Sequence, residues 1–196
     1  MRRGGKSSRR LLFRENIMTD TLQSLIDKQE IRDCMARYAR GVDRADWEAV
    51  RDTYHDDAYD DHGDYKGDIP GFIAFAKERV GFMPQAMHFL GQCYAEFASD
   101  SVAVVETYFM TCHTLDPETQ KKYGATSDGP VQLSHIGRYV DRFEKRDGKW
   151  KTAYRIVVFE TTRLALDKVP PIKPDWVPHR RDQDDPIFKM RREVGL

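Results

Sequence analysis

The sequence predicts an α+β fold in which N-terminal helices pack on one face of a curved antiparallel sheet. Apolar residues recur at helical spacing up to about residue 82, whereas long β-rich segments separated by turns follow from Pro84 onward. The chain has 196 residues, of which 40% are hydrophobic and 33% charged, and this composition suits one domain with a sizeable core. We therefore expect a disordered N-terminal extension over 1–17, a folded domain over 18–167 and an extended C-terminal arm over 168–196.

The first element is predicted to be one long amphipathic helix from Leu22 to about Gly41. Threonine and aspartate residues that can cap a helix precede it directly. A short second helix is predicted within 45–54, and after a short strand and turn over 56–67 the helical period returns over 68–82. The apolar stripe of the first helix includes Leu25, Ile26, Cys34, Met35, Tyr38 and Val42.

Four long strands are predicted to form the sheet as a meander. Ser99 and Asp100 join the first two, and Asp147-Gly148 joins the last two as a two-residue hairpin turn. The polar segment 116–130 between the middle strands is predicted to be a mobile loop. The strands cover residues 85–99, 102–115, 131–146 and 149–162.

Both ends of the chain are predicted to lie outside this domain. Residues 1–17 are basic and contain only the short apolar run LLF, which is too short for a signal-peptide core. They are either an upstream extension of a start at Met18 or a short targeting or interaction arm. We expect the C-terminal arm to dock on this subunit or on a neighbour, because Trp176 and Phe188 need apolar partners.

Charge and cysteine content argue against several classes of partner. Lys plus Arg and Asp plus Glu number 32 each, so the net charge provides no field that would attract nucleic acid or an anionic membrane. No apolar stretch approaches the ~20 residues that cross a bilayer. The three cysteines form no cluster with zinc-binding spacing, which favours reduced thiols in a cytoplasmic protein.

Asp43 is predicted to lie where the first helix ends, and the helix dipole disfavours a carboxylate there. If this helix crosses the sheet, Asp43 can approach His88, fix its tautomer and raise the basicity of the other ring nitrogen. Such a pair, without a Ser or Cys nucleophile, suits proton abstraction or protonation of a leaving group, and hence elimination or isomerisation. A purely structural histidine is the alternative for His88.

Strand alternation assigns the side chains of the first long strand to two faces. The face that carries His88 is mixed polar and aromatic, which suits a ligand cavity or solvent, and the other face is apolar. The first face comprises Ala86, His88, Leu90, Gln92 and Tyr94, and the second Met87, Phe89, Cys93, Ala95 and Phe97.

Two further residues near the N-terminal half are candidates for the site. Tyr38, on the core stripe, is either a core aromatic or a phenolic hydrogen-bond donor. His62 is either an exposed turn residue or a polar group of the site. Asp60 and Asp61 beside it resemble metal ligands, but no second set lies at a recognised spacing, so we predict no metal site.

His113, His135 and Arg155 lie within the later strands. Arg155 interrupts the apolar run YRIVVF, where an unpaired guanidinium would be costly. It must therefore reach water, a carboxylate such as Glu106 or a substrate anion, and a structural ion pair is our first interpretation.

The segments EIRDCMARYARGVDRADWEAV, DDAYDDHGDYKG, AMHFLGQ and GRYVDRFEKRDGKWK resemble the SnoaL-like branch of the nuclear transport factor 2-like superfamily. The resemblance covers about residues 22–163, and its most specific pieces are YARGVD and MHFLG. It implies a cone-shaped α+β barrel that encloses a pocket, commonly as a homotrimer, with a dimer as the alternative. Members include cofactor-free dehydratases and dehydrochlorinases, so we expect no cofactor.

The resemblance also implies roles for individual residues. Asp43 matches the catalytic aspartate, His88 its partner histidine and Tyr38 the tyrosine that polarises the substrate. His62 falls where the dehydratases have a second active-site tyrosine, so the residue type departs from the family pattern. The substrate-binding candidates are Arg155, on a strand that can carry a cavity arginine, with Tyr59, Tyr108, His113 and His135.

These observations predict a lyase that acts on a hydroxylated aromatic or polycyclic small molecule. Dehydration is the default reaction, and carbon–carbon cleavage such as deformylation of lignin-derived aromatics uses similar acid–base groups. The alternatives are a non-catalytic binding or adaptor module and the small subunit of an aromatic-ring dioxygenase, since fold does not fix function. No nucleic-acid or membrane partner is expected.

Overall fold

The structure is a computed structural model that describes residues 21–81, 83–166 and 170–196. The extension predicted over 1–17 lies outside these residues. Helices and strands follow one another in the predicted order, with helices first and the long strands afterwards. The helices are α1 (Leu22–Arg44), α2 (Trp47–Asp52), α3 (Ile69–Gly81), α4 (Pro117–Gln120) and α5 (Pro186–Glu193), and the strands are β1 (Tyr54–Asp61), β2 (Lys66–Asp68), β3 (Gln85–Ser99), β4 (Val102–Leu115), β5 (Val131–Arg146) and β6 (Lys149–Ala165).

The strands form one curved six-stranded sheet in the order β2-β1-β6-β5-β4-β3. Only β1 and β6 pair in parallel, and the remaining neighbours are antiparallel. The sheet does not close, because β2 and β3 are its two edges. Shifts of register in β1, β3, β5 and β6 accompany its curvature, as bulges do in bent sheets. The predicted α+β class with helices on one sheet face is confirmed.

Helix α1 is three residues longer than predicted and ends at a left-handed cap. The hydroxyl of Thr21 accepts a hydrogen bond from the backbone N–H of Ser24 at the start, and Ala45 has φ 55° at the end. Of the predicted apolar stripe, Leu25 and Ile26 are exposed, whereas the later members are buried, namely Cys34, Met35, Tyr38 and Val42. Because α1 extends to Arg44, its last turn contains Asp43.

A bulge in β3 corrects the predicted face assignment of that strand. Leu90 pairs with Phe109, but the next pair is Cys93 with Thr107, so β3 has one extra residue between them. Side chains turned toward the helices are therefore Ala86, His88 and Leu90, and then Cys93, Ala95 and Phe97. The prediction that Gln92 and Tyr94 share the face of His88 was wrong.

The turn between β5 and β6 follows its sequence signal. Asp147 and Gly148 have φ 51° and 74°, the pair of positive angles that a two-residue hairpin of primed type requires. Segment 116–130 was predicted to be a mobile loop, and it carries α4 and a 3-10 turn. The fully buried Gln120 holds it, since its Nε2 donates to the carbonyl oxygens of Leu115 (3.3 Å) and Gly129 (2.8 Å).

The described part of the C-terminal arm docks on its own chain. Arg181 donates from Nη1 to the carbonyl oxygens of Val80 (2.9 Å) and Met83 (2.8 Å), and Asp185 lies 3.5 Å from the Nε of Arg44 at the end of α1. The arm ends in α5, which the sequence analysis missed. Trp176 remains 56% exposed, so the expected apolar partner is absent within the described residues.

The sheet face turned away from the helices displays apolar side chains to solvent. The exposed apolar side chains on this outer face include Met87, Phe89, Tyr108, Met110 and Ile136.

Among the residues described, no helix has the length and apolarity needed to span a membrane.

Candidate active site

The inner sheet face and helices α1 and α3 enclose a cavity with four histidines in its wall. His62 follows β1, while His88, His113 and His135 lie on β3, β4 and β5. Aromatic and aliphatic side chains form most of the remaining wall, and Arg79 is the one arginine among the lining residues that the structure describes. The other lining residues are Tyr38, Val42, Phe72, Phe75, Ala76, Val80, Met83, Phe109, Thr111, Tyr139 and Phe159.

Asp43 holds both the ring and the backbone of His88. Its Oδ1 lies 2.6 Å from the Nδ1 of His88, and its Oδ2 accepts the backbone N–H of the same residue at 3.0 Å. Both side chains are more than nine-tenths buried. Because a carboxylate only accepts, the neutral ring carries its proton on Nδ1, and Nε2 keeps a free lone pair. The two residues were predicted to approach each other if the first helix crosses the sheet, with the carboxylate on one ring nitrogen.

A second aspartate orients His62 in the same wall. Oδ1 of Asp60, a fully buried side chain, lies 3.0 Å from the Nδ1 of His62, while its Oδ2 accepts from the hydroxyl of Tyr54 at 2.7 Å. The His62 ring packs on Phe72 with 4.8 Å between centroids. Asp60 was considered only as a metal ligand from the sequence, and no group of three or more possible metal ligands occurs among the described residues.

Arg155 lies beneath the cavity and is absent from its wall. Its Nε and Nη2 bind the two carboxylate oxygens of Asp141 at 2.8 and 2.7 Å, and its Nη1 donates to the hydroxyl of Tyr54 at 2.8 Å. Its guanidinium stacks between Tyr38 and Tyr139 at 4.3 and 4.4 Å from the ring centroids. Burial disfavours the charge, but Asp141 outweighs burial and raises the pKa of Arg155. A substrate-binding role does not fit this placement, whereas the structural ion pair does.

Tyr38 contributes a phenol that stays protonated. Its side chain is 2% exposed and its ring lies edge-on to Tyr139 and His88, at 5.6 and 6.5 Å between centroids. Burial raises the pKa of Tyr38 well above its usual range, although Arg155 acts in the opposite direction. The Tyr38 phenol therefore remains a hydrogen-bond donor and cannot serve as a base, and its hydroxyl lies within hydrogen-bond reach of Tyr54.

His135 is neutral and has a defined tautomer. Its Nε2 lies 3.0 Å from Nη2 of Arg79, and since a guanidinium only donates, Nε2 is the acceptor. The proton therefore resides on Nδ1, which lies 3.0 Å from the hydroxyl of Thr162. Burial, together with the charge of Arg79, lowers the pKa of His135 to about 4.

His113 lies beside His135, with 5.7 Å between ring centroids, and is also neutral. Burial lowers its pKa to about 2, and repulsion from His88, His135 and Arg79 acts in the same direction. Its Nδ1 is buried and has no hydrogen-bond partner among the described residues.

Two predicted substrate-binding residues lie outside the cavity. Tyr59 and Tyr108 are 38% and 47% exposed, and Tyr59 stacks on Tyr154 at 5.4 Å. Arg79 lines the cavity but was not among the residues predicted for the site. The signal for it was present, because Arg79 follows Phe72 by seven residues on the apolar stripe of α3, where a charge is out of place.

Comparisons with known proteins agree with this architecture. Residues 23–156 match the family model for the SnoaL-like domain. None of the curated proteins matches the chain. Among solved structures, hexachlorocyclohexane dehydrochlorinase LinA type 2 is 18% identical with a TM-score of 0.66, over 79% of this chain and 99% of that one. LinA type 3 from Novosphingobium barchaimii LL02 is 18% identical with a TM-score of 0.64, over 76% and 99%.

A candidate scytalone dehydratase from Novosphingobium aromaticivorans is 16% identical with a TM-score of 0.61, over 77% of this chain and 98% of that one. At these identities the likeness shows a shared fold. The fold that the sequence resemblance implied is thereby confirmed.

Proposed function

Since the chain belongs to the SnoaL-like domain family, we propose that it is a cofactor-independent lyase in which His88, held by Asp43, moves the proton. The single observation that carries the proposal is the presence of two imidazoles in one cavity wall, each held at Nδ1 by a buried aspartate. An adaptor or a passive binding module has no need of two such pairs. A base and an acid on opposite sides of a substrate are what an elimination requires.

In a dehydration, Nε2 of His88 removes a proton from the carbon next to the carbinol. The electrons of that C–H bond form the double bond, and the hydroxyl departs with the electrons of the C–O bond. His62 in its imidazolium form protonates the hydroxyl, so that water leaves, and the Tyr38 phenol donates a hydrogen bond to the developing charge. Asp43 stabilises the His88 imidazolium that forms.

The same groups support carbon–carbon cleavage of a hydroxymethyl compound. His88 then removes the proton from the hydroxymethyl oxygen, formaldehyde departs, and the electrons of the broken C–C bond form the new double bond. The hydroxyl on the far carbon leaves as water with the proton of His62. The aromatic wall around Phe72, Phe109 and Phe159 fits a hydroxylated aromatic substrate in either reaction.

A mass-spectrometric screen tests the proposal. Purified, chelator-treated protein is incubated with hydroxylated aromatic diols, hydroxy-ketones and hydroxysteroids, and loss of water or formaldehyde is scored. We expect turnover without added cofactor, loss of turnover in His88→Gln and turnover in His55→Gln. His55 is a matched control, because it is a buried strand histidine that lies outside the cavity and bonds the carbonyl of Glu144. Full activity of folded His88→Gln would rule out the mechanism.

We also propose that copies of the chain associate, as a homotrimer or alternatively a dimer, through the outer face of the sheet. Phe89, Met110 and Ile136 lie on one row across β3, β4 and β5 and are each more than one-third exposed. Contiguous apolar surface of this kind favours association. Sedimentation velocity gives the mass, and Met110→Glu is expected to yield monomers, whereas a wild-type monomer would contradict this proposal.

A further inference from the structure

Arg79 is a cation in the cavity wall that has no carboxylate partner in the described part of the chain. No described acidic residue lies within ion-pair distance of it, although Arg155 and Arg138 are paired with Asp141 and Glu106. Its one hydrogen bond to a described residue goes to Nε2 of His135, and a guanidinium has five N–H donors. Several donors of Arg79 are therefore available to a ligand.

Asp64 and Glu78 line an adjoining pocket together with Arg79 but form no ion pair with it, and the two neighbouring histidines do not neutralise its charge. His135 accepts a hydrogen bond from Arg79 and is uncharged, and His113 beside it is uncharged as well. Nδ1 of His113, a residue more than nine-tenths buried, has no partner among the described residues, and an unmet polar group of this kind is costly unless a ligand completes it. This end of the cavity thus combines a charge and an unused ring nitrogen.

The register of the sheet fixes how far this end lies from the proposed base. His88 pairs with Thr111 on β4, and Thr111 pairs with His135 on β5. Two strand spacings separate His88 from His135, which is about 10 Å. The rings of Phe109 and Tyr139 line the cavity and stack with 4.5 Å between centroids. The wall therefore offers a base, an aromatic surface and a cation in the same cavity.

We propose that Arg79, with His113 and His135, forms a carboxylate subsite, so that the lyase acts on an aromatic acid whose carboxylate lies at the end of the cavity away from His88. The fork of a guanidinium matches the two oxygens of a carboxylate, and His113 can turn an N–H toward either of them. The substrate class rests on the proposed lyase function, but binding at the subsite does not depend on turnover.

Calorimetric titration with 3-(4-hydroxyphenyl)propanoate and with its primary amide tests the subsite. The two probes share shape and aromatic ring and differ in charge. Wild-type protein is expected to bind the acid about 30-fold more tightly than the amide, as for one bidentate charge-assisted pair. Arg79→Gln should reduce acid affinity to the level of the amide and leave amide affinity unchanged, and His113→Phe should weaken the acid alone.

Arg138→Gln is the matched control, since Arg138 pairs with Glu106 and Glu160 and lies outside the cavity. It should bind both probes as wild type does. Equal affinities for acid and amide in wild type, no binding of the acid at millimolar concentration, or an unchanged acid preference in Arg79→Gln would each overturn the subsite. Wild-type protein without lyase activity could still bind the acid more tightly than the amide and lose this preference in Arg79→Gln. That result would support the subsite and count only against the lyase proposal.

Discussion

Replacing Asp43 by asparagine is expected to change the tautomer of His88. In the wild type, one carboxylate oxygen accepts from the ring and the other accepts from the backbone N–H of His88. The asparagine amide must turn its oxygen toward that backbone N–H, because its NH2 group would otherwise place donor against donor. The NH2 then faces Nδ1, which must become an acceptor. The ring proton moves to Nε2, and the base disappears.

The size of the effect follows from the hydrogen bonds that change. A bond to a carboxylate is worth about 2 kcal/mol, which favours the wild-type tautomer roughly 30-fold. In the variant, a neutral bond of about 1 kcal/mol favours the other tautomer roughly fivefold. Loss of the carboxylate also removes stabilisation of the imidazolium that forms during proton transfer. Together we expect kcat to fall by about 10²- to 10⁴-fold with the fold preserved.

Long-range ¹H–¹⁵N correlation spectra of histidine-labelled protein report the tautomer directly, without a substrate. His88 should carry its proton on Nδ1 in the wild type and on Nε2 in Asp43→Asn. Asp60→Asn is the control, because it should alter His62 and leave His88 unchanged. An unchanged His88 spectrum in Asp43→Asn, or undiminished kcat with a substrate found by screening, would refute the reasoning.

Three further predictions concern stability. Arg155→Met leaves Asp141 buried and unpaired and should lower the free energy of unfolding by about 3–5 kcal/mol in urea, with partial recovery on adding Asp141→Leu; no recovery would mean that pairing is not the cause. The pKa of His113 is about 2 in the folded chain against 6.5 for the free side chain, so the unfolded state binds the extra proton and stability falls as pH drops below 6.5. Urea titrations should show that His113→Gln removes about 1.4 kcal/mol per pH unit of this dependence, and identical slopes would contradict it. A Cβ at Gly137 would lie 2.2 Å from a carbonyl oxygen of β6, so Gly137→Ala should lower the Tm, whereas Gly81→Ala, with open space around it, should not.

Local patterns were sufficient to predict most elements, whereas the pairing of Asp43 with His88 was predicted only on the condition that the first helix crosses the sheet and from the family resemblance. The helix period, the Asp-Gly turn and the β-rich segments each act over a few residues, so the sequence shows them directly. The bulge after Leu90 was not predictable from alternation, since it depends on how β3 bends against β4. Asp60 was missed as the partner of His62 because the sequence does not reveal which carboxylates become buried.

Of the predicted substrate-binding residues, His113 and His135 line the cavity, whereas Tyr59, Tyr108 and Arg155 do not. Tyr59 and Tyr108 are aromatic residues on strands, and alternation alone does not say which face turns toward the helices. Arg155 was correctly expected to need a partner, but Asp141 lies 14 residues away on the neighbouring strand and only the register brings them together. Arg79 could have been predicted from its place on the apolar stripe of α3, where a charged residue is unusual.

The row that runs from His88 through Thr111 to His135 also constrains how the chain can vary in length. Each of these residues faces the cavity only while the number of residues between it and the nearest turn stays the same. A one-residue insertion within β3, β4 or β5 would therefore turn a site group to the outer face of the sheet. Segment 116–130 joins β4 to β5 beyond these residues and is free of that constraint. Insertions and deletions in relatives that retain the chemistry should therefore concentrate there, and a library that varies this segment would reshape the adjoining pocket that Thr119, Lys122 and Tyr123 line, without displacing the acid and the base.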